Sequence, residues 1–177
     1  MVRIKGIVAF EKNGGMGNNN MLPWNHKKDL KYFRLLTKGN GNNCVVMGKN
    51  TFNSIGMALP NRDNIVLSKT LNKSSINNSN VTVVNSWDNV LKTINQSAYD
   101  DVWIIGGLSI YTQAIENNLI DEFYVTNIMH EYHCDTFFPI NLLEDKYCEL
   151  SEMQKEDVDE GVKLIYKKYT KNMESRI

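Results

Sequence analysis

The groups in this 177-residue chain best suited to chemistry are an aspartate, two glycine-ended turns and an arginine. Asp29 follows a loop rich in glycine and asparagine, Gly14-Gly15-Met16-Gly17-Asn18-Asn19-Asn20-Met21-Leu22-Pro23-Trp24. With Phe33 and Leu36 it falls at i, i+4 and i+7, on one face of a helix. A carboxylate on an otherwise apolar stripe is costly to bury unless something pairs with it. The plainer reading is an acidic residue in a first helical turn, favoured by the helix dipole. Glycines in the preceding loop reach backbone angles closed to other residues, so the loop can bend and approach a ligand closely. Pro23 suits a helix entrance.

Two further stretches share one pattern. Ile104-Ile105-Gly106-Gly107-Leu108-Ser109-Ile110-Tyr111 reads as a strand that ends in two glycines and opens a helix, and Val45-Val46-Met47-Gly48-Lys49-Asn50-Thr51 repeats it with a basic residue. Free N–H groups and the positive dipole end make such a junction a ready anion site. Neither is the G-x-G-x-x-G fingerprint, and either could be a tight turn with no ligand. In an α/β sheet both can point at the carboxyl edge, where such folds bind ligands. Arg62, after Leu59-Pro60-Asn61, offers a fork suited to a carboxylate, or is a surface charge. His130, His133 and Cys134 lie close together, but strand alternation would put His130 and Cys134 on one face and His133 on the other. No fitting fourth ligand is near, and no metal site is expected.

Positioning these groups takes a sheet and helices. Residues 4–10, 44–47, 65–67, 81–84 and 102–105 are short apolar runs that read as strands. Residues 13–20 read as a loop, and Leu30, Phe33 and Leu36 mark a helix after Pro23. Residues 51–55 suit one short helix. Ser86 is a good N-cap for a helix carrying Trp87, Val90, Leu91 and Ile94, and Leu108, Tyr111, Ala114 and Ile115 mark another. Residues 71–80 form a Ser/Asn-rich insertion with almost no core-forming residues. Residues 123–128, 147–154 and 162–169 are strand-rich, with Asp159-Glu160-Gly161 the turn of a final hairpin. Alternating strands and helices imply a mixed, mostly parallel central sheet with helices on both faces. The closing segments add an antiparallel C-terminal edge hairpin. One domain, residues 1–170, and a tail, 171–177, are expected.

Composition narrows the function. Lys+Arg 20 balances Asp+Glu 20, which argues against a nucleic-acid partner, since a basic stripe is needed to offset phosphates. No segment approaches the roughly 20 apolar residues that span a bilayer, so no membrane partner is expected, nor is a signal peptide. The three cysteines, Cys44, Cys134 and Cys148, are widely spaced and suggest a reducing, cytoplasmic setting.

Taken in order, these stretches resemble the dihydrofolate reductase family. The resemblance runs from about Arg3 to Tyr169 and is carried by G-M-G-N-N-N-M-L-P-W with Asp29, V-M-G-K-N-T-F-N-S-I-G, L-P-N-R-D-N-I-V-L-S, I-I-G-G-L-S-I-Y, Y-V-T-N-I and D-T-F-F-P. It implies a monomeric enzyme that reduces dihydrofolate with NADPH. Asp29 matches the carboxylate that grips the pterin, with Thr126 hydrogen-bonded to it, and Trp24 and the gating Leu22 beside it. Ile7, Val8 and Ile105 match the strand ends along the pterin. Phe33, Ile55 and Leu59 match the apolar walls, and Arg62 the partner of the substrate's glutamate α-carboxylate. Ala9, Met16, Gly17 and Asn20 match the nicotinamide pocket. Gly106 and Gly107 match a cis-linked diglycine that flanks the pyrophosphate with Leu108, Ser109, Ile110 and Tyr111. Gly48, Lys49, Asn50, Thr51, Leu67, Ser68 and Lys69 match the adenosine-phosphate side.

The chain departs from the family pattern in places. Gly14-Gly15 adds a glycine to the loop, Asn61 stands where Gly is frequent, and Met57 where a basic residue is common. Lys69 stands where many members carry an Arg on the 2′-phosphate, and a lysine cannot form the bidentate fork. A pyrimidine reductase of riboflavin synthesis shares the fold and cofactor, but Leu22-Pro23-Trp24, Asp29 and Arg62 favour a pterin substrate with a glutamate tail.

Overall fold

Apolar runs that are buried on both sides make parallel strands sandwiched between helices. Two such strands, β3 (Cys44–Gly48) and β6 (Asp101–Gly106), pair in parallel at the centre of the sheet. The computed structural model describes residues 2–172. Around these two lie β1 (Arg3–Glu11), β4 (Asp63–Leu67), β5 (Val81–Val84), β7 (Glu122–Ile128), β9 (Tyr147–Glu149), β10 (Lys155–Asp159) and β11 (Val162–Lys171). The sheet order is β10-β11-β7-β1-β6-β3-β4-β5, with β9 beside β11. The strands from β7 to β5 are mutually parallel, and β11 runs antiparallel to β7, β9 and β10. This is the mixed α/β architecture with an antiparallel C-terminal edge that the sequence implied.

Two cores flank the sheet. On one face α1 (Lys27–Lys38) and α2 (Lys49–Ile55) set Phe33, Leu36 and Phe52 against Ile7, Val45, Met47, Trp103 and Ile105. On the other, α3 (Trp87–Asn95) and α4 (Leu108–Glu116) bring Val90, Ile94, Ala114 and Ile115 against Val8, Val46 and Ile104, with α5 (Ile140–Lys146) adding Leu143. Ser86 caps α3, its side chain accepting from Asn89 N–H at 3.2 Å. The final hairpin turns through Glu160 and Gly161, both at positive φ (52° and 75°), as a two-residue primed turn requires.

Several expectations need correction. Residues 13–20 are not all loop: β2 (Gly15–Gly17) pairs with β8 (Thr136–Phe137) in a separate two-stranded sheet. Three residues are too few to carry a readable alternation. Residues 147–154 hold only the three-residue β9 followed by a 3₁₀ turn, and α5 precedes them unforeseen because seven residues span barely two turns. Residues 129–135 are not a strand: β7 stops at Ile128, where His130 N–H bonds back to its carbonyl at 2.9 Å. Alternation therefore does not place His130, His133 and Cys134. The 71–80 insertion contributes Leu71 and Ile76 to the α1-side core. β11 runs to Lys171, and residues 173–177 of the expected tail lie outside the described residues. No helix among the described residues is long and apolar enough to cross a membrane.

Gly6, in the middle of β1, is a packing requirement: a Cβ there would sit 2.7 Å from the Phe123 ring on β7. Replacing Gly6 by Ala overfills this contact. We expect a loss of about 1–3 kcal/mol in unfolding free energy, read from the urea midpoint.

Candidate functional site

The parallel strands β1, β3 and β6 end at the same edge of the sheet, β3 and β6 in glycines, and α1 packs on one face beside them. Ala9 on β1 stands in register with Thr126 on β7. Asp29 lies three residues past His26, the N-cap of α1, and is only 8% exposed, with Thr126 at 2%. Burial pushes the Asp29 carboxyl above its ordinary range, while the Thr126 hydroxyl and the His26 ring pull the other way and Asp159 pushes it further up. The carboxyl is thus an ionisable group kept largely out of water. Trp24 is buried against Tyr132, with ring centroids 5.4 Å apart. A hollow of about 770 Å³ lies at the opposite edge near Arg3, Lys5 and Asp101. Lys5 is already paired there with Asp101 at 3.3 Å, and the hollow offers none of these chemical features.

The two strand-to-helix turns meet. Gly106 and Gly107 are joined by a cis peptide bond. A Cβ on Gly48 would lie 3.1 Å from Ile110 and 3.9 Å from the Gly106 carbonyl, and one on Gly107 would lie 3.4 Å from Thr51 Oγ1. Both α2 and α4 begin at glycine N-caps with no side-chain cap, which leaves their first N–H groups without a local side-chain partner. Leu108 and Ser109 are exposed there, whereas Ile110 and Tyr111 point into the core. The Tyr111 hydroxyl lies 2.6 Å from the Ile7 carbonyl and 2.9 Å from that of Ile105, sharing its proton between the two strand ends. At the start of α2, Lys49 Nζ donates to Thr70 at 3.1 Å, and Ser68 Oγ accepts from the N–H groups of Thr70 and Leu71. Lys69 and Asn50 are exposed, and Leu67 and Thr51 half-buried, around the same end of β4.

Arg62 is buried, not a surface charge. Its Nε donates to the Pro60 carbonyl at 2.9 Å and its Nη1 to Thr37 Oγ1 at 2.9 Å. Burial, then the nearby Arg34, lowers its pKa. Asn64 fixes this turn: its side chain accepts from Leu59 N–H at 2.9 Å and donates to the carbonyls of Leu59 (3.0 Å) and Arg62 (2.9 Å). Asn61 has φ 62°, which explains why a glycine is at home there. Phe33 and Leu59 line the α1-side core beside Ile7 and Ile105, while Ile55 stands at 36% exposure outside that cluster.

The glycine-rich loop is better tethered than its sequence suggests. Asn18 and Met21 exchange backbone bonds at 2.8 and 3.0 Å across Asn19 and Asn20, both at positive φ, so Asn20 sits at an exposed hairpin tip. Met16 packs on the core, Gly17 carries the ladder to β8, and Leu22 stands half-exposed. Two carboxylates that the sequence left without a role secure this loop. Asp135 accepts from Asn19 N–H at 2.9 Å, which with Thr136 holds its carboxyl low. Glu11, 2% exposed, accepts from Asn13 (2.7 Å), Gly15 (2.8 Å) and Tyr132 (3.3 Å) N–H groups. No spacing rule flags Glu11, because its partners come from two separate loops. Among the described residues no group of three or more His, Cys, Asp or Glu side chains could hold a metal ion.

Comparison with known proteins places this geometry. Residues 3–171 match the family described as dihydrofolate reductase. The dihydrofolate reductase of Drosophila melanogaster is 37% identical over 147 residues, covering 78% of this chain and 80% of its own. That of Bacillus subtilis (strain 168) is 37% identical over 136 residues, covering 77% and 75%. That of Rattus norvegicus is 36% identical over 190 residues, covering 97% and 99%.

Two outcomes follow from the buried carboxylates. Because folding raises the Asp29 pKa, the native state binds a proton more tightly than the unfolded chain does. Its contribution to stability is therefore lost as pH rises from the unfolded carboxylate range, near about 3.9, through the folded value. The stability of D29N relative to the parent should accordingly increase from pH 4 to pH 7 in paired urea titrations; a constant difference would show that the carboxylate is not desolvated. For Glu11→Gln, an amide N–H₂ must replace one acceptor oxygen facing a backbone N–H. We expect a loss of about 1–3 kcal/mol and faster amide exchange in residues 13–21.

Proposed function

The chain belongs to the dihydrofolate reductase family and is an oxidoreductase; from that premise we propose that it reduces 7,8-dihydrofolate to 5,6,7,8-tetrahydrofolate with NADPH, supplying tetrahydrofolate for one-carbon and thymidylate metabolism. The observation that carries this reading is Asp29, a desolvated carboxylate backed by Thr126 at the edge where three strand ends open. A planar heterocycle with adjacent ring N–H and exocyclic amine groups is the complement such a carboxylate requires. Asp29 and Thr126 grip those donors, Ile7, Val8 and Ile105 supply the strand ends along the ring, and Phe33, Leu59 and Ile55 wall the aminobenzoyl portion. Arg62, pre-set by Pro60 and Thr37, keeps further N–H donors for the glutamate α-carboxylate.

The converging turns fit a dinucleotide. Their unpartnered helix starts, and the glycines whose Cβ atoms would obstruct them, suit a pyrophosphate at Gly106, Gly107, Leu108 and Ser109. Ile110 and Tyr111 support this turn from the core side. Gly48, Lys49, Asn50, Thr51, Leu67, Ser68 and Lys69 border the adenosine phosphate, and Ala9, Met16, Gly17 and Asn20 the nicotinamide. NADPH held there supplies the hydride. The chain's own residues must orient pterin C6 at about 3–3.5 Å from the donor carbon. Ionised Asp29 stabilises the positive charge that develops as pterin N5 takes a proton from water. Closure of the loop through Leu22 and Trp24 excludes bulk solvent. Lys155, Glu156 and Asp157 on edge strand β10 discourage strand pairing between copies, which favours a monomer.

Loss of reduced-nicotinamide absorbance on adding dihydrofolate, with NADPH and NADH in parallel, tests the reading. Faster oxidation of NADPH is expected, and no oxidation with either would overturn it. Asp29→Asn should leave NADPH affinity nearly intact and slow hydride transfer at neutral pH by roughly 100-fold or more. Arg62→Ala should weaken folate binding by about 1.5–3 kcal/mol while sparing a glutamate-free pteridine. Equal losses for both ligands would remove Arg62 from its place.

A further inference from the structure

The helix that carries Asp29 has an unusual start. His26 is its N-cap, yet no local side chain caps the first turn. The cap comes from far along the chain: Asp159, at the end of β10, accepts from Lys28 N–H at 3.3 Å. The same Asp159 oxygen lies 3.5 Å from His26 Nδ1. On the other side of the ring, His26 Nε2 lies 2.8 Å from the Tyr132 hydroxyl. His26 is 3% exposed, and its Nδ1 is buried with no hydrogen bond of good geometry, so Asp159 is the partner it faces. An imidazole wedged between a carboxylate and a phenol, one turn from Asp29, exceeds what helix capping needs. A serine would cap as well.

We propose that His26 is a positioning residue for the reduction: held between Asp159 of the hairpin tip and Tyr132, it fixes the start of α1 and sets the electrostatic surroundings of Asp29. This rests on the assignment of Asp29 to the pterin. The groups facing His26 are few. From α1 come Asp29 and Lys28, whose ammonium is engaged by Asp157 at 3.0 Å and by the Val158 carbonyl at 2.7 Å. The hairpin contributes Asp159 and, alongside, Tyr166, whose hydroxyl is pushed up to about 12 and stays neutral. From the segment after β7 comes Tyr132, with His130 edge-on to its ring at 4.7 Å. Of these, the His26 ring favours the ionised form of Asp29, and Asp159 opposes it. Tyr132 is also bonded through its N–H to Glu11, so the same clamp reaches the base of the glycine-rich loop.

The test exploits these opposite signs. The Asp29 carboxyl is titrated by ¹³C NMR in the full-length enzyme, assigned with D29N, in the parent, H26Q and D159N. Single-turnover hydride transfer is followed across the same pH range. The expected result is a higher Asp29 midpoint in H26Q, a lower one in D159N, and an acid limb of the rate profile that moves with each. Hydride transfer in H26Q should fall several-fold at acid pH with NADPH affinity unchanged. A purely structural wedge would move both midpoints the same way or neither, and either outcome overturns the proposal. If H26Q does not fold, D159N decides alone: a lowered midpoint supports the proposal and an unmoved or raised one overturns it. A parent enzyme that fails to oxidise NADPH with dihydrofolate would sink the functional reading instead, while the titrations would still report on the clamp.

Discussion

A carboxylate kept out of water is unstable unless its surroundings supply what water would have supplied. At Asp29 the protein does so only in part: Thr126 contributes a hydroxyl and His26 a nearby ring, while burial and Asp159 act against ionisation. In the proposed reading, a ligand with paired N–H donors would make good that shortfall. Much of the fold can be understood as the means of maintaining that shortfall. α1 packs on one face of the sheet with Phe33 and Leu36 anchored in the core, so Asp29 on the same side of the helix is carried inward with them. β7 places Thr126 opposite Ala9, and β11 pairs with the other side of β7.

The parallel arrangement of β1, β3 and β6 follows from continuous apolar burial, and it gathers three strand ends on one edge. Sequence order alone separates Ile7, Gly48 and Gly106 widely; the register brings them together. Tyr111 then acts as a staple between two of those ends, its single hydroxyl proton shared by the carbonyls of Ile7 and Ile105. The Tyr111 ring lies 2.9 Å from where a Gly106 Cβ would be, so the glycine also serves packing from below. A residue that resemblance would set beside a pyrophosphate thus works from the core side.

What was legible in the sequence was whatever depends on local pattern. The strands of the parallel sheet, the helices marked by Val90 and Ile94 or by Ala114 and Ile115, the Ser86 cap and the Glu160-Gly161 turn each announce themselves within a few residues. Two glycine-ended turns could be seen to belong to one edge, but their contact through Ile110 and Thr51 could not. The misses share a cause. β2 and β8 are stabilised by pairing across more than a hundred residues of chain, and α5 is too short for periodicity to register. Glu11, Asn64 and Asp159 are ordinary polar residues in sequence, and their roles arise from backbone groups elsewhere that need an acceptor or a donor. Arg62 reads equally as a surface or a site charge in sequence, because the Thr37 that holds it sits on α1, 25 residues away.

These long-range polar contacts are distributed with a physical logic. Where the backbone must stay put, a distant side chain satisfies it: Asp159 for the first turn of α1, Glu11 and Asp135 for the glycine-rich loop, Asn64 for the turn before β4. At the cleft-facing starts of α2 and α4, the N-cap positions are glycines and no side chain intervenes. A serine at either position would satisfy an N–H and so compete with an incoming anion. α5 also lacks a side-chain cap, but it follows Pro139 and not a strand of the main sheet. In the proposed reading, an anion held at these two helix ends would supply the partners that no side chain gives them. On that reading, the contrast between one helix capped from afar and two left open separates a part of the site held rigid, around Asp29, from a part that a ligand's own charge would complete.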